Sequence, residues 1–298
     1  MRVWAFLNID HPPVAWAAMR GTLISAPSLR EPSSFVSFMF AGILQSRDNR
    51  RLHNEIIIEE TRLKRFPHQI SRLSGIYFFP DRRTAKIAVE ESWGSHFAEE
   101  NLTELELYSN DAITRVDASW ITNAPTNPDG LLNTPEWLDD YWAGRPASQN
   151  PTWEILSNGY AIILDEKIRK KAYEIIQLKF PNSWIMMEMS RLAGEAGSDA
   201  GSIMPYVLRR ENNLHTLMYL FDDKDFHDEE TIRKISLHPD AGRLGYRMSQ
   251  EEFWTVPDFR PWYQDFALES RQKKEWISIF SVHAPNAFPH RPELDVLK

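Results

Sequence analysis

Glu154 is the residue whose type and setting most call for a chemical explanation. It lies in the stretch NPTWEILSNGYAIIL (150–164), flanked by Trp153 and Ile155. Asn158-Gly159 between two apolar runs reads as a two-residue hairpin turn, because both residues accept positive φ. That register sets Ser157 across from Tyr160 and Glu154 across from Ile163, with Leu156 on the same face. A carboxylate on an apolar strand face costs several kcal/mol unless it is paired or bound. Two readings follow. Either Glu154 is held there for chemistry, or its face is solvated, or it meets an arginine.

A second group sits in FPHQISRLSGIYFF (66–79), where Ser71, Arg72 and Ser74 stand at the entrance of an expected strand. A hydroxyl beside a guanidinium can orient a phosphate or a ribose. The same residues can equally cap the strand and bridge to Glu59 or Glu60. Other stretches offer less. GEAGSDAGS (194–202) is glycine-rich but lacks the Gly-Lys-Ser/Thr of a phosphate loop, so a flexible loop is expected. DDKDFHDEE (222–230) holds carboxylates and His227 without the central glycine of a calcium loop, and reads as a solvated turn. No His-x-x-x-His pair and no Gly-x-Ser-x-Gly signature is present, and no metal site is expected.

The elements that must carry these residues follow from periodicity and punctuation. RVWAFLNI (2–9) alternates as an opening strand, and Asp10 is placed to cap a helix that tolerates Pro12 and Pro13 and ends near Gly21. NEIIIEETRLKRF predicts a helix that Pro67 stops, and LSGIYFF a strand closed by Pro80-Asp81. Residues 82–93 return to helix. LTELELY (102–108) and ITRVDASWI (113–121) read as strands, and a Pro/Asn/Gly-rich loop follows. Thr134 and Pro135 then open a helix with Trp137, Leu138, Tyr141 and Trp142 as its buried stripe and Gly144 at its end. Beyond Asp165 come two amphipathic helices, EKIRKKAYEIIQLKF and SWIMMEMSRLAGEAG, then a strand LHTLMYLF (214–221), an acidic loop and a Trp/Pro-rich tail. No internal repeat is visible, and a domain boundary is expected within 165–182.

Composition bounds the function classes. The chain has 298 residues, 42% of them hydrophobic, with 11 Trp and 16 Phe, enough for a sizeable core in one large or two ordinary domains. It has no cysteine, which excludes a disulfide scaffold, thiolate zinc sites and a Cys nucleophile. MRVWAFLNIDHPP lacks the apolar core of a signal peptide, and FVSFMFAGIL (35–44) is too short for a bilayer span of about 20 residues. The expectation is a soluble, cytoplasmic protein without a membrane partner. The net charge of −8 argues against a surface that coats nucleic acid. Residues 47–86, however, carry ten Lys/Arg against five Asp/Glu, a local +5 that leaves −13 elsewhere.

Two strings carry a resemblance. One is E-x-x-R-x-x-x-F-P-x-x-x-S-R-x-x-x-x-x-F, read at Glu59, Arg62, Phe66, Pro67, Ser71, Arg72 and Phe78; the other is YWAG…WEILSNGYAII (141–163). Both resemble a family of uncharacterised bacterial and phage proteins similar to the ADP-ribosyltransferase superfamily, which includes toxins that modify DNA. The resemblance covers roughly residues 1–165. It implies an α+β fold: an ADP-ribosyltransferase-like mixed N-terminal domain (1–165) and a C-terminal α/β extension (166–298) of unknown role. It further implies an NAD-binding cleft between two small sheets, with NAD as substrate. Glu154 would hold the nicotinamide ribose hydroxyl and stabilise the positive charge that grows as nicotinamide departs, which a fixed carboxylate in a low-dielectric cleft does well. Ser71 and Arg72 would support the ribose and diphosphate, and Tyr77 would stack on nicotinamide. Such families usually carry His or Arg in the first strand. VWAFLN offers Asn8 alone, with Arg2 before it. The function implied is mono-ADP-ribosyl transfer to a macromolecular acceptor, protein or nucleic acid. The alternatives are a non-catalytic interaction module on the same fold and a nucleic-acid-binding accessory protein using residues 47–86.

Overall fold

A computed structural model describes residues 1–28, 35–90, 97–109, 113–132, 136–210, 214–248 and 255–267. The opening strand β1 (Arg2–Phe6) leads into helix α1 (Pro12–Arg20) and the short β2 (Thr22–Ile24). His11, not Asp10, is the residue at the helix start, and its side chain makes no capping bond. The two prolines fill the first positions, where a missing N–H costs nothing. Gly21, at φ 88°, ends the helix as expected.

Helix α2 (Phe38–Ser46) is capped by Ser37, whose hydroxyl accepts from the Phe40 amide. Asp48 caps α3 (Asn49–Arg65) by accepting from the Arg50 and Arg51 amides. Its last turn ends at Phe66, because Pro67 disfavours helical geometry in the residue before it. β3 (Ile76–Phe78) and α4 (Arg82–Ala88) follow, the latter capped by Asp81. β4 (Leu102–Tyr108) matches the alternating run.

The stretch ITRVDASWI is only half strand. β5 (Thr114–Asp117) gives way to a helical turn, α5 (Ser119–Thr122), because the Asp117 carboxylate accepts from the Ser119 and Thr152 amides and turns the chain. The Trp/Tyr stripe lies on α6 (Trp137–Trp142), while the expected capping residues Thr134 and Pro135 lie outside the described residues.

β6 (Trp153–Ser157) and β7 (Tyr160–Ile163) are where expected, but they do not form a hairpin. β7 belongs to a four-stranded antiparallel sheet of order β1-β4-β7-β2, and β6 is the central strand of a three-stranded sheet, β3-β6-β5. Glu154 is paired with Val116, and Ile163 with Leu105. Asn158-Gly159 is thus a sheet switch. The Gly159 amide donates to Ser25 Oγ at 2.9 Å, and the Ser25 amide donates back to the Gly159 carbonyl at 2.9 Å. An Asn-Gly pair marks a break between two strands; it cannot say which edges the flanking strands find.

Helices α7 (Glu166–Lys179) and α8 (Trp184–Glu195) then pack on α1. A third antiparallel sheet, β10-β9-β8, is made by β8 (Ile203–Arg209), β9 (Leu214–Phe221) and β10 (Gln264–Ala267), with α9 (Glu229–Ser236) and α10 (Ala241–Met248) between the last two. β8 has no counterpart in the sequence reading. It is an edge strand, which tolerates Pro205, and the Pro205 carbonyl accepts from the Val36 amide.

The architecture is therefore α+β, with antiparallel sheets throughout. One core runs through position 165: Val3, Leu105 and Ile163 share a buried cluster with Trp16, Ile168, Ile176, Met187, Val207 and Leu217. The glycine-rich stretch is tied down from the same side. Trp16 Nε1 donates to the Gly201 carbonyl at 2.8 Å, and the buried Arg20 donates to the Ala200 and Ser198 carbonyls. A second, separate cluster gathers Ile58, Val116, Leu138, Tyr141, Trp142 and Leu156 beneath α6. No helix among the described residues is long and apolar enough to cross a membrane.

Candidate active site

Five segments deliver charged or phenolic groups to one place. On α3, Glu55 lies one turn from Leu52 and from Glu59 on the buried face. After that helix stops, residues 71–75 make a tight turn in which the Gly75 amide donates to the Ser71 carbonyl at 2.9 Å. Ser71 Oγ accepts from the Leu73 amide at 3.1 Å, so the hydroxyl shapes this turn. Arg72 sits within it. Its carbonyl accepts from Tyr77 Oη at 2.9 Å, which anchors its backbone to β3. Tyr141 comes from α6 and Glu154 from the middle of β6.

The Arg72 guanidinium organises the group. Nε and Nη2 each donate to a Glu55 oxygen at 2.9 Å, a bidentate fork. Nη1 donates to Tyr141 Oη at 2.7 Å and stands 3.8 Å from Glu154 Oε2. The rings of Tyr77 and Tyr141 flank the cation at 5.2 and 5.8 Å. Glu55, Arg72 and Glu154 are all buried. Glu154 does meet an arginine, as one reading of the sequence required, but through a distance too long for a hydrogen bond.

Burial and the neighbouring charges act on Glu154 and Arg72 in opposite directions. Burial pushes Glu154 up to about 7; Arg72 draws it down, while Glu55 and Asp117 push it further up. Burial alone would lower Arg72, yet the adjoining Glu55, together with Tyr141 and Tyr77, outweighs it and holds the guanidinium above its usual range. Tyr141 is raised by burial, against the pull of Arg72.

Glu55, Arg72, Tyr77 and Glu154 open on a cavity of about 1200 Å³ whose walls come from both N-terminal sheets and from β8 and β9. Asn8, Arg72, Tyr77 and Glu154 all line it, although 82 positions separate Arg72 from Glu154. Ser71 does not line it; its hydroxyl is committed to the backbone, away from the position a ribose contact requires. Two further residues do line it that the sequence reading passed over. Glu55 was hidden inside a helix whose acidic residues all look alike. His11 stands at the start of α1, five residues beyond β1, where its type and neighbours give no sequence signal; burial pushes it down to about 4, so it is neutral, and Gln45 Nε2 is 3.4 Å from its Nε2.

The basic segment is largely spent on local partners. Arg62 pairs with Glu59 at 2.8 Å and Lys64 with Glu60 at 3.1 Å, Arg65 pairs with Asp139, and Lys86 pairs with Glu99. Arg72 bridges to Glu55 and neither of the expected Glu59 and Glu60. No group of three or more potential metal ligands occurs among the described residues, and Asp228 instead caps α9.

Residues 35–173 match a family described as a protein of unknown function (DUF2441). That span holds Glu55, Arg72, Tyr77, Tyr141 and Glu154, and leaves out Asn8 and His11. No curated protein matches the chain.

Proposed function

We propose that this protein is an NAD-dependent mono-ADP-ribosyltransferase acting on a macromolecular acceptor. The observation that carries the reading is a buried carboxylate, Glu154, on the wall of a large cavity that also exposes Asn8, Arg72 and Tyr77. A cavity of about 1200 Å³ exceeds the ~300–1,000 Å³ of most small-ligand pockets, so a dinucleotide has room beside part of an acceptor.

The residues fit such a substrate with one change of role. Arg72 gives its fork to Glu55, so it positions carboxylates and is poorly placed to grip a diphosphate. Arg51 lines the same cavity and is exposed, and offers a phosphate a cation. Glu154 would accept from a ribose hydroxyl and stabilise the charge that develops as the bond to nicotinamide breaks. Tyr77 offers a ring face to the nicotinamide. Glu154 is itself buried in the wall, which strengthens that electrostatic term.

The test is nicotinamide release by wild type and Glu154→Gln in the presence of protein, RNA and DNA acceptors, with NAD binding measured by calorimetry. The amide keeps the shape and can still bond a hydroxyl. Unchanged NAD affinity with turnover reduced by orders of magnitude is expected, as for an interaction made mainly in the transition state. A wild-type protein that neither binds NAD nor releases nicotinamide with any acceptor overturns the reading in favour of a non-catalytic module.

A further inference from the structure

Glu55 has the stronger claim on Arg72 although Glu154 is the carboxylate assigned the chemistry. Both oxygens of Glu55 are bonded by the fork at 2.9 Å, while Glu154 Oε2 is left at 3.8 Å from Nη1. Tyr141 Oη takes that same Nη1 at 2.7 Å. Two partners thus compete with Glu154 for one cation and win it by geometry.

We propose that Glu55, assisted by Tyr141, is a positioning residue that holds the Arg72 guanidinium out of hydrogen-bond range of Glu154 and so keeps that carboxylate from being locked into an ion pair. The proposal rests on Glu154 being the working group of the site. The fork is planar and its backbone is fixed, because Tyr77 Oη donates to the Arg72 carbonyl at 2.9 Å, so the guanidinium cannot serve both carboxylates equally.

The groups facing Glu154 come from every neighbouring element: Glu55 on α3, Arg72 in the 71–75 turn, Tyr77 on β3, Asp117 on β5 and Tyr141 on α6. Asp117 is occupied by the Ser119, Ala147 and Thr152 amides and acts on Glu154 only through space. Removing the negative charge of Glu55 leaves Arg72 a buried cation whose nearest remaining carboxylate is Glu154. The pull of Arg72, already 3.8 Å from Glu154, is then no longer shared with or opposed by the Glu55 charge, and the Glu154 midpoint falls.

The experiment is a carboxyl-carbon NMR titration of Glu154 in the full chain, assigned by its loss in Glu154→Gln. Glu55→Gln is expected to lower the Glu154 midpoint by about one unit or more. Tyr141→Phe, which removes the acceptor of Nη1 and keeps the ring, is expected to lower it by a smaller amount. Should Glu55→Gln fail to fold, Tyr141→Phe decides. A midpoint unmoved in every folded variant overturns the proposal and makes Glu55 a partner for Arg72 and nothing more. The titration needs no NAD, so its failure is distinct from failure of the transferase reading.

Discussion

Trp4 and Phe79 exchange two backbone hydrogen bonds, at 2.9 and 2.7 Å, and join the edge of the four-stranded sheet to the end of the strand beside β6. The other joint is covalent: the chain passes from β6 to β7 through Asn158 and Gly159. Between these joints the sheets part, and the cavity takes Phe6 to Asn8 from one side and Ile76 to Phe79 and Glu154 from the other.

Gly159 is the joint most exposed to substitution. Its φ of 143° is one that residues with a Cβ rarely adopt, and a Cβ built there falls 2.2 Å from the Tyr108 carbonyl oxygen. Backbone on both sides must move. Gly159→Ala is expected to cost at least ~1–3 kcal/mol in urea unfolding and to reduce any activity that needs the cavity. Gly197 serves as the control: its φ is 72°, but nothing lies within 4 Å of a built Cβ. Gly197→Ala should therefore cost about 1 kcal/mol. Equal losses at the two sites would show that contact with Tyr108 does not matter.

Trp142 tests the floor of the site. It is fully buried on α6, its Nε1 donates to the Ile58 carbonyl at 3.1 Å, and it shares a cluster with Leu156, the neighbour of Glu154 on the same strand face. Trp142→Ala is expected to lose about 3–5 kcal/mol. Trp120, partly exposed and stacked on Trp137 at 6.3 Å, should lose much less on the same change. Thermal melts of the two variants check the order, and a Trp142→Ala melt matching wild type would mean that the α6 stripe is not core.

Burial of Glu154 has a stability consequence whose sign is fixed. Its folded midpoint is about 7 against an ordinary 4.5, so below pH 4.5 both states are protonated and nothing is lost. As pH rises from 4.5 to 7 the unfolded chain gives up this proton first, and stability falls; above 7 the deficit is constant. The rise from 4.5 to about 7 corresponds to a deficit on the order of 3 kcal/mol. Glu154→Gln does not titrate. Urea unfolding of wild type and variant should give a difference that grows in the variant's favour between pH 5 and pH 8. A difference independent of pH would mean that Glu154 is ionised throughout.

Much of this arrangement was legible in the sequence, and the gaps have physical causes. Pro67 and Pro80-Asp81 bounded the helix and strand around Arg72 because proline acts on its immediate neighbour. The aromatic stripe of α6 was legible because 3.6-residue periodicity needs no partner. The fate of Asn158-Gly159 was not, since strand pairing depends on edges supplied by residues 22–24, 76–78, 102–108 and 114–117. Glu55 was not legible either. Glu55, Glu59 and Glu60 occupy one helix within two turns, and only the tertiary structure shows that Arg72 takes the first and Arg62 the second. Ser71 was given a ligand role on type and neighbourhood, whereas the turn it closes claims its oxygen.

The proposed chemistry itself depends on pH through Glu154. Only the ionised carboxylate stabilises the positive charge that grows on the ribose as nicotinamide leaves. With its midpoint raised to about 7 by burial, little of it is ionised at pH 5.5 and most of it is at pH 8.5. Single-turnover nicotinamide release should therefore rise with pH as one ionisation near 7, by roughly tenfold or more between those limits. His11, lowered to about 4 by burial, is already neutral across the range and does not contribute to the rise. Glu154→Gln is expected to abolish the rise together with most of the rate. Glu55→Gln, which hands Arg72 to Glu154, should move the rise to lower pH while leaving its shape. Rates that are flat from pH 5.5 to 8.5 in an active wild type would place the essential carboxylate elsewhere.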